Sequence, residues 1–236
     1  MPGIGIESGR NTDAQWRELP PRGRWRAATE AAIAYVLILA VIWSPRPTQR
    51  WLWWVAAGAL ALITAICWDG GKAMGLRPAS VLRPQWVVGA ALMMAAAEIA
   101  IAAHLHTLKL PPRTLLFVEG YFAYTVWSFV QQFLLQGFFL LRFLRLVPPR
   151  WAAFLSAGLF ALAHLPNPVL TPITFLWGLA ACLIFLHYRN LYPLALAHAI
   201  FGITIAITIP GHVDHNMRVG LGYLTYSRNF HKLPLR

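Results

Sequence analysis

The sequence predicts an all-α fold: a polytopic bundle of transmembrane helices with about seven membrane segments, within a range of six to eight. Two observations carry this prediction. The chain is 58% hydrophobic and only 12% charged, whereas soluble domains are about a quarter charged. Apolar runs also recur along it, and most approach the roughly twenty residues that cross a bilayer core. The predicted segments are 29–44, 51–67, 86–104, 115–146, 151–165, 169–187 and 191–209.

These segments divide the chain into three parts. Residues 1–27 form a polar, basic arm, residues 28–209 form the transmembrane bundle, and residues 210–236 form a basic tail. The segment 151–165 is too short to cross a core of about 30 Å at a rise of about 1.5 Å per residue. The sequence LPNP at 165–168 therefore begins at membrane depth. Irregular backbone is tolerated there only when protein buries it or when it lines a wet cavity.

The net charge of +12 is typical of proteins that bind nucleic acid, but its distribution indicates membrane flanks. Lys and Arg lie between the apolar runs and not along one face. With the amino terminus in the cytosol, the inside stretches hold twelve Lys and Arg, and the outside stretches before the tail hold four. Four more in the tail fall outside if all seven segments cross. Either one segment re-enters or the tail is tolerated outside, and no nucleic-acid partner is predicted.

Cysteines and tail histidines offer no site of their own. Cys67 and Cys182 lie in separate apolar runs, which is typical of small buried hydrophobic residues and not of a disulfide framework. His212, Asp214 and His215 have a ligand-like composition, but short clusters of this kind are usually solvated loops. The sequence predicts no metal and no cofactor.

The densest set of polar residues at membrane depth lies in the sequence SFVQQFLLQGFF, which begins at Ser128. Ser128, Gln132 and Gln136 are spaced by four residues, so they share one helix face, while Gln131 lies about 100° round from Gln132. Polar side chains in the bilayer core are costly and default to the bundle interior or to function. Hydrogen bonding between helices is an equally good explanation for glutamines taken alone.

Two histidines complete the polar set. Phe160 and His164 share a helix face just before the LPNP break, and His198 follows in the sequence LYPLALAHAIFG. A histidine beside broken backbone indicates a functional cavity more strongly than a lone buried one. Counted from the turn at Pro148-Pro149, Gln131 and His164 lie at nearly the same depth, whereas a count through Asn190 puts His198 shallower.

At these residues the chain resembles the CAAX-protease and bacteriocin-processing (CPBP, or Abi) family of intramembrane endopeptidases, which includes the type II CAAX prenyl endopeptidases. The resemblance covers about residues 70–209. The family's first motif has two adjacent Glu and then an Arg, and the aligned residues are Gln131, Gln132 and Gln136. Its second motif, Phe-x-x-x-His, is matched by Phe160 and His164.

The third motif of the family is a His with Asn or Asp four residues later, and here His198 is followed by Gly202. The resemblance implies that a Glu and the second-motif His activate water, while the third-motif His and its Asn stabilise the oxyanion. A Gln amide cannot take a proton from water, although it can donate and accept hydrogen bonds. The candidate catalytic residues are thus a neutral set: Gln131, Gln132, Gln136, His164 and His198. Phe160 and Asn167 are the candidate substrate contacts.

Three hypotheses follow. The first is an intramembrane endopeptidase that hydrolyses a membrane-embedded or prenylated peptide, with His164 activating water. The second is a non-hydrolytic membrane binding or scaffold protein on the same fold. The third is a small transporter, which the absence of a repeat pairing the two halves disfavours.

We predict that the amino-terminal arm is cytosolic, because the Lys and Arg count favours that side by twelve to four. A single Cys introduced into the arm should resist a membrane-impermeant thiol reagent on intact cells and react after permeabilisation. Labelling on intact cells would reverse the predicted orientation.

Overall fold

The computed structural model describes residues 23–77, 84–109 and 114–226. Every regular element in these ranges is helical, so the chain is a helical membrane bundle, as the sequence predicts. The seven long elements are α1 (Arg24–Ile42), α2 (Arg46–Ile66), α3 (Trp86–His104), α4 (Thr114–Gln132), α5 (Pro149–Leu162), α6 (Leu170–Tyr188) and α7 (Tyr192–Thr208). Two short helices follow, α8 (Gly211–Asp214) and α9 (Gly220–Leu224). The arm up to residue 22 and the tail from 227 lie outside the described residues.

Four of these helices, α1, α2, α3 and α6, are long and apolar enough by length and composition to cross a membrane. The 17-residue α7 is apolar but shorter, and α5 has 14 residues. At about 1.5 Å per residue α5 is about 21 Å long, which is shorter than a core of about 30 Å.

The connections of the bundle gather at two ends. One end contains the start of α1 and the connections that follow α2, α4 and α6, and we call it the arm end. There Arg24 donates to the carbonyl of Leu146 and Arg189 to that of Ala73. The opposite end contains the remaining connections and residues 209–226, and we call it the tail end. There Gly220 N–H donates to the carbonyl of Leu165. The seven long helices alternate in direction between these two ends, and the described tail lies opposite the start of α1.

Exposed tryptophans mark both ends. Such rings favour the interface between hydrocarbon and water, where an apolar body and a polar N–H are both accommodated. At the arm end the exposed rings are Trp25, Trp68, Trp86 and Trp151, and at the tail end they are Trp43, Trp51, Trp53 and Trp54. The two sets indicate where the bilayer boundaries fall on the bundle.

Helix α7 is the central element. Eleven of its residues are buried, many of them small, such as Ala195, Ala199 and Gly202. Small side chains let neighbouring helices approach closely in membranes, and α7 packs against both α3 and α4. Helix α5 packs along α6. The only helix with which α2 makes extensive contacts within the described ranges is α1. A gap therefore remains between α2 and α4.

Helix α4 continues without a break through a π-helical segment, Phe133–Leu140, into Leu141–Phe143. The wider turn of a π-helix shifts the side chains that follow it around the helix axis, and such segments occur often at functional sites. The sequence predicts one long helix over 115–146 but carries no signal for this change of pitch.

A buried ion-pair network holds the arm end together. Arg142 is fully buried and bonds Glu30 of α1 at 3.2 Å and Asp69 at 3.2 Å. Arg26 and Arg145 give the two carboxylates second partners. The guanidinium of Arg142 also donates to the carbonyl of Cys67 and lies 3.9 Å from the Phe138 ring centroid. The sequence analysis counts Arg142 among the charged membrane flanks and assigns it no partner; in the structure it joins α1, the loop after α2 and the end of α4.

We expect Arg142→Met to lower the free energy of unfolding by about 3 kcal/mol. Removing one member of a buried ion pair costs about 3–5 kcal/mol, and Arg26 and Arg145 keep the remaining carboxylates partly paired. Thermal and chemical unfolding in detergent measures the change. Arg150→Met, at an exposed position on the same end, is the matched control and should have little effect; equal stability of the two variants would contradict the role given to Arg142.

Candidate functional site

A cavity of about 960 Å³ lies inside the bundle, between α1, α2, α4, α5, α6 and α7. Its walls are mostly aliphatic and aromatic, and the described residues that line it include no Asp, Glu, Lys or Arg. Four polar side chains of interest share it: Tyr124, Gln131, His164 and His198. An apolar cavity with a few convergent polar groups is the usual form of a binding or active site.

His164 lies at the start of the turn that follows α5. Its Nδ1 lies 2.7 Å from the carbonyl oxygen of Phe160, one helical turn earlier. A carbonyl oxygen can only accept, so Nδ1 must carry the proton and donate it. In the neutral ring the other nitrogen, Nε2, is then an acceptor. His164 therefore presents a proton acceptor to the cavity.

In His198 the proton is on the other ring nitrogen, because two buried glutamines fix its tautomer. Gln136 donates from Nε2 to Oε1 of Gln132 at 2.5 Å, which commits the Gln132 oxygen to accepting. The Nε2 of Gln132 is 2.8 Å from Nδ1 of His198, and an amide nitrogen can only donate. The ring must then accept at Nδ1 and carry its proton on Nε2. His198 is thus a hydrogen-bond donor on the cavity wall.

The Phe160 ring brings the two histidines together. Its centroid lies 4.8 Å from that of His164 and 5.8 Å from that of His198, with edge-to-face geometry in both cases. His164 and His198 therefore contact the same aromatic ring. Phe160 also lines the cavity, where its predicted contact with substrate remains a prediction.

The two adjacent glutamines face different surroundings. Gln131 lines the cavity, whereas Gln132 is fully buried. Ser128 and Gln136 are fully buried as well, which follows from the spacing by four residues that puts Ser128, Gln132 and Gln136 on one face. Gln131 and His164 thus line the same cavity, while Gln132 and Gln136 act behind its wall by orienting His198.

Asn167 is placed away from the cavity. It is fully buried, and its Nδ2 donates to the carbonyls of Asp214 and Arg218 at 2.7 and 3.0 Å. Its Oδ1 accepts from the N–H groups of Val169 and Leu170 at the start of α6. In this arrangement its polar atoms are occupied in capping α6 and in holding the tail over the turn at 165–168. We therefore leave Asn167 out of the proposed substrate contacts.

The described part of the tail packs against the bundle. No group of three His, Cys, Asp or Glu side chains within the described ranges has the arrangement that a metal ion needs. His215 instead stacks on the ring of Tyr223 at 4.0 Å, and Asp214 is buried, accepting from Asn216 N–H. Met217 and Val219 close the cavity at the tail end, a contribution that the sequence gives no reason to expect. Cys67 and Cys182 are buried free thiols.

Sequence reasoning also misses Tyr124 of α4. A Cβ atom at position 202 would overlap its hydroxyl and ring, so Gly202 in α7 is the residue that allows the tyrosine to lie across that helix. The only sequence signal is the absence of a side chain at 202, and it does not say which residue fills the space.

The family model described as Type II CAAX prenyl endopeptidase Rce1-like matches residues 112–204. This range includes Tyr124, the three glutamines and both histidines, and the match supports the assignment to the CAAX-protease and bacteriocin-processing family. Comparisons with curated proteins and with solved structures find no match.

We expect Gly202→Ala to destabilise the bundle by about 1–3 kcal/mol, the usual cost of adding a methyl group where the packing leaves no room. Thermal unfolding in detergent measures it, and Tyr124→Ala in the same chain should recover part of the loss. Gly158→Ala, at a helical glycine with open space around it, is the control and should be neutral or slightly stabilising. Equal tolerance of both substitutions would show that Tyr124 does not occupy this space.

Proposed function

We propose that this chain, as a relative of the type II CAAX prenyl endopeptidases, is a membrane endopeptidase that hydrolyses a peptide bond with a neutral set of residues. One observation carries the proposal: His164 offers a proton acceptor and His198 a proton donor to the same cavity, on either side of Phe160. Amide hydrolysis requires both, a base for the attacking water and a donor for the oxyanion.

His164 acts as the general base. Its Nε2 takes a proton from a water molecule as the water oxygen bonds to the peptide carbonyl carbon. The carbonyl oxygen becomes an oxyanion, which accepts a hydrogen bond from His198 Nε2–H. The proton on His164 then passes to the leaving nitrogen as the C–N bond breaks, which restores the neutral ring. The Phe160 carbonyl stabilises the imidazolium stage by accepting from Nδ1.

The glutamines take over the positioning that carboxylates would supply, without their basicity. Gln136 and Gln132 keep His198 in the tautomer that donates into the cavity. Gln131, on the wall, holds the attacking water by accepting or donating one hydrogen bond. Because Gln stands at both positions of the Glu pair, His164 acts without a carboxylate partner and is a weaker base than a Glu–His pair, and we expect the enzyme to be slow.

The substrate is a peptide that is embedded in the membrane or carries a lipid. The cavity volume of about 960 Å³ is at the upper end of small-molecule pockets, and its apolar walls suit an acyl or prenyl chain. Val126, Trp127 and Val130 of α4 line the cavity and have exposed side chains. They face the gap left by α2, which provides access from the hydrocarbon core of a cell membrane.

A second candidate function is a non-hydrolytic membrane binding or scaffold protein on the same fold. The specific observation in its favour is that no carboxylate is among the described cavity-lining residues. In that case the cavity would hold a lipid or a lipidated peptide without cleaving it, and His198 and His164 would serve as hydrogen-bonding contacts.

We predict that the wild-type protein cleaves a farnesylated CAAX peptide slowly or not at all, and that Gln131→Glu raises the rate. A positioned general base typically contributes about 10²–10⁴-fold, and Glu is nearly isosteric with Gln. Purified protein in detergent, assayed for peptide release, measures this. Gln85→Glu, the same substitution outside the cavity, is the control, and His164→Ala should abolish turnover in either background while retaining the thermal stability.

Fast wild-type turnover that Gln131→Glu abolishes would show that the glutamine site is fully competent and that our description of it as slow is wrong. Binding of the farnesylated peptide without cleavage by any of the variants would favour the scaffold function.

A further inference from the structure

Tyr124 is a polar residue on the cavity wall that the proposed mechanism leaves unused. It lies in α4, and its ring crosses α7 at Gly202, where any side chain would overlap it. Gly202 follows His198 by four residues, which is one helical turn or about 6 Å along the axis. The Tyr124 hydroxyl therefore occupies the position that a side chain one turn from His198 would otherwise fill. All three residues line the cavity.

We infer that the Tyr124 hydroxyl is a second oxyanion donor, acting beside His198 Nε2–H on the same wall. This inference deepens the proposed function and rests on it. The two donors come from neighbouring helices and converge on one side of the cavity, whereas the acceptor of His164 comes from the end of α5. A carbonyl bound between them would have its carbon toward the water held at His164 and its oxygen toward the donors.

A neutral cavity needs a second oxyanion donor more than a cavity with a positively charged side chain would. No Lys or Arg is among the described lining residues, so neutral hydrogen bonds alone must stabilise the developing negative charge. Such bonds are effective where water is excluded and the donors are fixed in advance. A tyrosine is well suited, because its ring is held by packing and its hydroxyl is a neutral donor.

The test compares two ligands, so that it does not depend on turnover. One is a farnesylated peptide, and the other is the same peptide with a phosphinate in place of the amide after the prenylated cysteine. The phosphinate carries the tetrahedral, anionic oxygen that an oxyanion site recognises. Dissociation constants are measured in detergent by microscale thermophoresis for the wild type, Tyr124→Phe and Tyr121→Phe, a control that removes a hydroxyl from the same helix outside the cavity lining.

We expect the wild type to prefer the phosphinate and Tyr124→Phe to lose about ten- to a hundred-fold of that preference, which is the range for a hydrogen bond to a charged group. Amide-peptide affinity should be unchanged, because phenylalanine preserves the packing. Tyr121→Phe should behave as the wild type. An unchanged phosphinate preference in Tyr124→Phe, or an equal loss for both ligands, would overturn the assignment and show that the tyrosine only packs.

A second measurement moves the hydrogen-bond donor from position 124 to position 202. Tyr124→Ala should lose the phosphinate preference, and Tyr124→Ala with Gly202→Asn should regain part of it, since the asparagine amide then reaches the cleared space. Failure to regain any preference in a stably folded double variant would count against a donor at this position. If the preference behaves as expected but no variant cleaves peptide, hydrolysis is overturned and the donor pair stands; if peptide is cleaved without a Tyr124 effect, only the donor assignment falls.

Discussion

The hydrogen bond between Gln132 and His198 is the constraint on which the site depends. Both side chains are buried in the bundle, where an unpaired polar group costs several kcal/mol, so each specifies the position of the other. The bond joins α4 to α7. Gln136 donates in turn to Gln132, so that the hydrogen bonds run in one direction, from Gln136 through Gln132 to His198. That direction decides which ring nitrogen of His198 carries the proton, and hence what the cavity wall offers to a substrate.

Charge is segregated from this site. The buried carboxylates Glu30 and Asp69 lie at the arm end, each paired with arginines, and the described cavity lining is neutral. A carboxylate beside the histidines would have to be desolvated and balanced by a cation. The chain has instead a Gln where the family that it resembles has Arg, and a Gln at each position of that family's Glu pair. These replacements are mutually consistent, since a neutral site needs no counter-ion, and they trade basicity for a lower cost of burial.

The fold class and the order of the helices follow from hydropathy, because apolar length is what the bilayer selects. The common face of Gln132 and Gln136 follows from helical spacing, as does that of Phe160 and His164. Three features depend on how helices rotate against one another, which spacing does not specify: that Gln132 and not Gln131 reaches His198, that Tyr124 fills the space at Gly202, and that Met217 closes the cavity. The π-helical segment and the buried role of Arg142 likewise arise from tertiary packing.

The opposite polarity of the two histidines is the central claim, and nitrogen chemical shifts test it most directly. Protein labelled with ¹⁵N-histidine, reconstituted in lipid nanodiscs at neutral pH, gives separate signals for protonated and unprotonated ring nitrogens, and single His→Asn variants assign them among the eight histidines. The account predicts a protonated Nδ1 with a bare Nε2 at His164, and a bare Nδ1 with a protonated Nε2 at His198. The same tautomer at both residues, or the reverse pattern, would contradict it.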